Sequence, residues 1–374
     1  MSLLIAILLI AGAALLVVGA ELLVRGASMI AVAAGIRPLI IGLTVVAFGT
    51  SAPELAVSLG ATFAGEPDIA LGNVIGSNIF NVLFILGISA LIVPLAVQRQ
   101  VVRFELPIML AVSIALMLLS FDGVIGRFDG MLLFASLIGY LIYLARSGSA
   151  PLPAGLEVES ASATTSEAVS SATAPAPDRL RRVPMAALLA LFGLALLVAG
   201  SRFFVNGAVA LATMLGVSQT IIGLTIIAAG TSLPELATSV MAGIRGERDI
   251  AVGNVVGSNI FNILAILGIC GLLAPDGVNV ASSMLRFDMP IMIGVAIVTL
   301  PVFFTGFRIG RIEGLLFLGY YAAYTAFLIL QATQHDALDA FGLAMLMFVL
   351  PLTVVGLVLS VVHSRRRHRT RNPL

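Results

Sequence analysis

Residues 42–88 read GLTVVAFGTSAPELAVSLGATFAGEPDIALGNVIGSNIFNVLFILGI, and residues 223–269 read GLTIIAAGTSLPELATSVMAGIRGERDIAVGNVVGSNIFNILAILGI. The two blocks align without a gap at an offset of 181, and 32 of their 47 positions are identical. Shared apolar bias does not produce such agreement. Two weaker echoes extend it: RFELPIML at 103–110 matches RFDMPIMI at 286–293, and GRFDG at 126–130 matches GRIEG at 310–314. The chain is therefore built from two like halves.

Composition says what surrounds those halves. Of 374 residues, 60% are hydrophobic and 10% are charged, and the mean hydropathy is +1.13. A soluble domain carries about 25% charged residues, so an ordinary soluble enzyme is excluded and a multi-span membrane protein is expected. One cysteine, Cys270, leaves neither a disulfide nor a cysteine-rich metal site. The three histidines, His335, His363 and His368, all lie near the C-terminus, away from any catalytic core.

A spanning helix needs about 20 apolar residues. Eleven segments meet that measure, near 3–34, 38–64, 70–93, 104–121, 127–145, 185–215, 219–243, 250–274, 287–306, 311–331 and 339–362. The first lacks the basic start of a signal peptide and reads as an uncleaved span. The expected fold is an all-α polytopic membrane protein. Residues 1–146 form a first five-helix repeat, and 185–331 a second. Residues 147–184, rich in Ala, Ser, Pro and Thr, form a disordered cytoplasmic linker. Residues 332–374 form an extra transmembrane helix and a basic tail, RRRHRTR, that suits an anionic lipid surface.

Orientation follows from arginine. With the N-terminus outside, the loops after the odd-numbered spans carry Arg37, Arg99, Arg103, Arg146, Arg245, Arg248, Arg308 and Arg311. The opposite loops carry mainly acids, such as Glu66, Asp68, Asp122 and Asp276. The positive-inside rule gives N-out and C-in. Five spans per repeat, an odd number, place the halves in opposite orientations. Inverted repeats of this kind build secondary transporters, with the substrate site near the midplane between the halves.

Two motifs carry chemistry. GTS-x-PE occurs at Gly49–Glu54 and at Gly230–Glu235. Its proline removes a backbone donor and clashes with the carbonyl four residues back. The helix should break there, freeing carbonyls from Ala47 to Thr50 and from Ala228 to Thr231. Glu54 and Glu235 sit mid-span with no Arg at matching depth in the second, third, seventh or eighth segments. An acid there costs about 2.5–3.5 kcal/mol and marks a functional site. The second motif, GNVxGSNIFN, places Ser77 with Asn81 and Ser258 with Asn262, each pair one helical turn apart on one face. Asn78 and Asn259 point elsewhere and read as interhelical glue, and Gly72, Gly76, Gly253 and Gly257 as points of close helix approach.

Brought together, these groups make an all-oxygen site with two negative charges. Calcium takes six to eight oxygens in flexible geometry, whereas magnesium keeps its waters. Transition metals favour His or Cys, which the site lacks. Sodium suits smaller adjacent oxygen sites. A carboxylate in low dielectric also binds protons more readily, so H⁺/Ca²⁺ exchange is a rival to Na⁺/Ca²⁺ exchange. A passive cation channel is a rival of another class. An enzyme is not expected, nor a cofactor, nor a nucleic-acid partner. Among other charges, Glu21 and Arg25 read as an intrahelical pair, and Glu105 and Asp288 as acids stabilising helix N-termini.

The paired GTSxPEL and GNVxGSNIFN blocks resemble the alpha-repeats of the cation/calcium antiporters, in particular the prokaryotic sodium/calcium exchangers. The resemblance covers residues 3–331. It implies a ten-helix core and electrogenic exchange of several Na⁺ for one Ca²⁺ by alternating access. It implies that Glu54 and Glu235 bind Ca²⁺, completed by the carbonyls of Thr50 and Thr231. It implies Na⁺ sites from Ser51, Ser77, Ser232 and Ser258 with the carbonyls of Ala47 and Ala228. Asn81 and Asn262 would line the middle, and the first and sixth helices would slide as gates. Some relatives, including potassium-dependent exchangers, carry Asp where this chain has Asn262, which argues against K⁺ cotransport. The implied setting is a multi-pass protein of a prokaryotic cell (inner) membrane, with a monomer sufficient for transport.

Overall fold

The computed structural model describes residues 3–148, 183–304, 306–349 and 351. Most of the expected linker, the basic tail and half of the eleventh span fall outside them. The regular structure of the described residues is helical apart from four two-residue strands. In the first half, α1 spans Leu3–Ala34, α3 Asp68–Ile92, α4 Val101–Leu119 and α5 Arg127–Ser147. Between α1 and α3, α2 comes in two pieces, Pro38–Thr50 and Ala52–Phe63, bent by 43°. In the second half, α6 spans Val183–Met214, α8 Arg248–Leu273, α9 Met284–Phe304 and α10 Arg311–Ala332. Here α7 runs from Gln219–Ile222 through Gly223–Ile227 to Ala228–Gly230, then resumes as Leu233–Ile244. A further helix, α11, begins at Leu338–Ala344.

Eight of these helices are long and apolar enough to cross a membrane, and the bent α2 makes nine. The eleven expected segments differ from that at two places. The seventh is cut by its break into pieces too short to qualify alone, and the eleventh is described only in its first turns.

The break is local chemistry repeated. Ser51 (φ −80°, ψ 6°) and Ser232 (φ −88°, ψ 9°) adopt the same bridge conformation one residue before the helix resumes. Pro53 and Pro234 each follow inside the first turn, where a missing N–H costs nothing. Three pairs of π-type turns also recur at equivalent places: Gly42–Val46 with Gly223–Ile227, Asn81–Ile85 with Asn262–Leu267, and Val101–Glu105 with Met284–Asp288. Such turns are rare and gather at functional positions.

The strands tie the halves at two places. β1 (Leu95–Ala96), after α3, pairs antiparallel with β4 (Arg308–Ile309), after α9. β2 (Val124–Ile125), after α4, pairs with β3 (Val278–Asn279), after α8. Alternating crossings put the first pair on one membrane face and the second on the other, which fits halves of opposite orientation.

Depth in the fold separates the helices by role. Within α8 and α3, 89% and 72% of the most apolar window is buried, against 28% for α1 and α6. The polar motifs on α3 and α8 therefore face protein, not lipid. α1 and α6 run antiparallel at the periphery, joined by glycines at seven-residue spacing. A Cβ on Gly19 would lie 2.7 Å from the Gly193 carbonyl, and one on Gly193 would lie 2.5 Å from the Leu23 nitrogen. Only glycine permits such backbone contact. The expected close approach on α8 is also present, since a Cβ on Gly257 would lie 2.8 Å from the Leu43 carbonyl of α2. Its counterpart Gly76 has open space around it, because α7 does not press onto α3 in the same way.

Candidate functional site

The breaks in α2 and α7 meet the centres of α3 and α8, and the side chains cross between halves. Ser232 Oγ donates to Glu54 Oε1 at 2.8 Å, and Ser51 Oγ donates to Glu235 Oε1 at 3.1 Å. Each carboxyl is thus held by the serine of the other repeat. Ser232 and Ser77 also lie within hydrogen-bond distance, at 3.2 Å. Glu54 and Glu235 are each only 1% exposed, and no basic residue pairs with either among the described residues.

Behind the acids stand two asparagines that the motif spacing did not single out. Asn73 Nδ2 donates to the Glu54 carbonyl at 3.2 Å and to Ser58 Oγ at 3.0 Å. Asn254 Nδ2 donates to the Glu235 carbonyl at 3.4 Å and to Ser239 Oγ at 3.0 Å. They fix the backbone from which each carboxylate projects. The signal was present, because Asn73, Ser77 and Asn81 lie four apart along one stripe of α3.

Four further asparagines form one network across the pseudo-two-fold axis. Asn81 Nδ2 donates to Asn259 Oδ1 and Asn262 Nδ2 donates to Asn78 Oδ1, both at 3.0 Å. Asn78 and Asn259 each donate to the other's carbonyl, at 3.2 and 3.5 Å. The expectation of interhelical glue for Asn78 and Asn259 holds in part. They do join the helices, yet they do not point away from the site: each accepts the amide of Asn81 or Asn262. That acceptance turns the opposite end of each partner's carboxamide free.

What remains unpaired is mainly oxygen. Glu54 Oε2, Glu235 Oε2, Asn81 Oδ1, Asn262 Oδ1, Thr231 Oγ1 and Ser258 Oγ are buried without a hydrogen-bond partner. A buried polar atom left unpaired costs about 1–3 kcal/mol. Such a set of acceptors fits a bound cation. The donor chemistry is two carboxylates, two carboxamides and hydroxyls, with no histidine or cysteine.

The backbone oxygens follow the expectation less closely. Ala47 O accepts the Ser51 amide at 3.0 Å, so it keeps a helical hydrogen bond and offers a cation only its second lone pair. Gly230 O accepts Ser201 Oγ at 2.6 Å, a contact from α6. The halves also differ in enclosure. Ala47 and Thr50 are buried, and Thr50 Oγ1 donates to Asn254 Oδ1 at 3.0 Å, whereas Ala228 is exposed and Thr231 half-buried.

Glu105 and Asp288 are placed differently from the expectation, and Glu21 has a partner beyond its own helix. Glu21 reaches across the halves to Arg245. Glu105 and Asp288 accept Tyr140 and Tyr324 hydroxyls, each at 3.0 Å, in place of helix N-terminal amides.

Comparison with known proteins decides the family. The profile described as sodium/calcium exchanger protein matches residues 4–146 and 185–330, which is both halves without the linker. The chain belongs to the sodium/calcium exchanger family. It is 38% identical to the putative antiporter CaxA of Alkalimonas amylolytica over 77% of this chain and 87% of that one. It is 33% identical to the sodium/calcium exchanger MaX1 of Methanosarcina acetivorans over 78% and 88%. The solved structure of the sodium-calcium exchanger NCX_Mj, soaked with Na⁺ and Ca²⁺, matches with a TM-score of 0.71 at 30% identity, covering 87% of this chain and 99% of that chain. This exchanger-family chain is thus a multi-pass membrane transporter.

Proposed function

We propose that the protein is a secondary active antiporter exchanging Na⁺ for Ca²⁺ by alternating access, with Ca²⁺ held between Glu54 and Glu235. The observation that supports this most directly is the set of unpaired buried oxygens on both acids and on Asn81 and Asn262. Two carboxylates match the charge of one Ca²⁺, and the remaining oxygens approach its coordination number. Thr50 and Thr231 carbonyls complete that site. Ser51, Ser77, Ser232 and Ser258, with the carbonyls of Ala47 and Ala228, serve Na⁺. Ser51 and Ser232, now donating to the acids, turn their lone pairs to Na⁺ when it enters. Both repeats lie in one chain, so one copy suffices. The setting is a prokaryotic cell membrane with the N-terminus outside.

The test is ⁴⁵Ca²⁺ uptake into Na⁺-loaded liposomes bearing the purified protein, at equal pH on both sides with a protonophore. Uptake that requires internal Na⁺ is the expected result. Uptake that ignores Na⁺ but follows an imposed acidic interior would replace Na⁺ by H⁺ at the same glutamates. Uptake that ignores both gradients would indicate a channel.

A further inference from the structure

Glu21 on α1 and Arg245, in the turn between α7 and α8, form an ion pair across the halves at 23% and 44% exposure. Two turns further along α1, Ser28 Oγ donates to Glu247 Oε1 at 2.7 Å. α1 also packs along the Leu233–Ile244 piece of α7. These contacts close one face of the molecule, the arginine-rich one.

The repeat offset of 181 places the equivalents of these four residues on the other face. They are Arg202 and Val209 on α6, with Ala64 and Glu66 in the turn between α2 and α3. The charges are exchanged: here the helix carries the base and the turn carries the acid. Val209 has no hydroxyl with which to repeat the Ser28 hydrogen bond. Arg202 and Glu66 are both exposed, and among the described residues neither side chain has a hydrogen-bond or ion-pair partner. α6 makes no packing with Ala52–Phe63 comparable to that of α1 with Leu233–Ile244. The surface of α6 is instead an open apolar depression lined by Leu191, Leu194, Val198 and Phe203, with Arg202 at its edge.

Depth makes Arg202 unusual. In the glycine seam, Gly12 meets Phe204 and Gly19 meets Leu197. Combined with the offset of 181, that register puts the pseudo-two-fold axis near Val18 and Ala199. Arg202 lies three residues beyond it, within about 5 Å along the helix. A charge so placed in a span is costly and marks function.

We propose that Arg202 and Glu66 are an outer latch, the counterpart of Glu21 and Arg245, and that the two latches close in opposite access states. The inference rests on the alternating-access reading. When the α1–α6 pair shifts, the inner contact opens and α6 approaches the α2–α3 turn. By the symmetry of the inner closure, residue 202 then sits beside residue 64. The long arginine side chain reaches Glu66, two residues on. The latches thereby set the balance between outward- and inward-facing forms.

The test uses nitroxides at Phe63→Cys and Met214→Cys in a Cys270→Ser background, with the full chain in liposomes. The distance distribution reads whether the outer gap is open or closed. Glu21→Gln should raise the closed fraction, whereas Arg202→Gln and Glu66→Gln should lower it. Each should change the closed-to-open ratio about two- to fivefold, the range of a partly exposed ion pair. The exchanged double variant Arg202→Glu with Glu66→Arg should restore the original ratio, which a merely structural role would not. A ratio unmoved by Arg202→Gln and Glu66→Gln, or moved in opposite directions by them, overturns the latch. ⁴⁵Ca²⁺ uptake by the unsubstituted protein separates the two readings. Uptake driven by Na⁺ with an unresponsive ratio sinks the latch alone, whereas a responsive ratio without Na⁺-driven uptake sinks the proposed cargo.

Discussion

Glu54 and Glu235 illustrate how a residue's meaning depends on what lies opposite it. Each has one oxygen fixed by a serine from the other repeat and one left over. If that spare oxygen binds Ca²⁺, Glu54→Gln or Glu235→Gln leaves the ion's charge uncompensated. Na⁺-driven ⁴⁵Ca²⁺ uptake should then fall by about tenfold or more. Glu105→Gln, a buried acid paired with Tyr140 outside the cluster, should leave exchange in place. The asparagine network makes a different prediction. Asn259→Ala strips the acceptor from Asn81 Nδ2 and the donor from the Asn78 carbonyl. Leaving buried amide groups unpaired should cost about 1–3 kcal/mol, read as a lowered thermal midpoint. Asn262 keeps the middle of the site neutral, so removing K⁺ should leave Ca²⁺ flux unchanged.

Among the elements, the broken helices and the glycine seam do different work. Both breaks follow from a proline two residues after a serine in the bridge conformation, and they stop the helix at the depth where oxygen is needed. The seam fixes α1 to α6 at backbone distance, so the two peripheral helices can move as one body. Gly19→Leu would drive a side chain into the Gly193 carbonyl and the Leu197 nitrogen, both within 2.8 Å of the added Cβ. It should separate the pair and abolish exchange, seen as lost uptake with a lower thermal midpoint. Gly76→Ala, with open space around it, should be tolerated. The motif glycines look alike in the sequence, and only packing separates the tight ones from the free.

For the whole molecule, five crossings per half and the placement of arginines fix the expected orientation. Thiol labelling of single cysteines should find Asp122→Cys reactive from outside and Gly148→Cys from inside, in intact cells of the expression host. The reverse pattern would invert the orientation and with it the names of the two latches. Asymmetry enters at this scale as well. The sequence halves are close copies, yet Thr50 is buried and bonded to Asn254 while Thr231 is half-buried with an unpaired hydroxyl. Two like halves in one chain can occupy two unlike conformations, which is what alternating access requires.

The sequence by itself determined the membrane setting, the twofold architecture, the broken helices and the identity of the paired acids. Those follow from local chemistry: apolar length, an unbroken offset, a proline after GTS, a carboxylate with no base in reach. The tertiary structure decided which oxygens stay free, that Asn78 and Asn259 belong to the same network as Asn81 and Asn262, and that Asn73 and Asn254 support the acids. It also decided that Glu21 pairs with Arg245, 224 positions away. These depend on which faces meet after the halves interlock. Spacing along one helix reports which residues share a face, but not what a second helix brings to it.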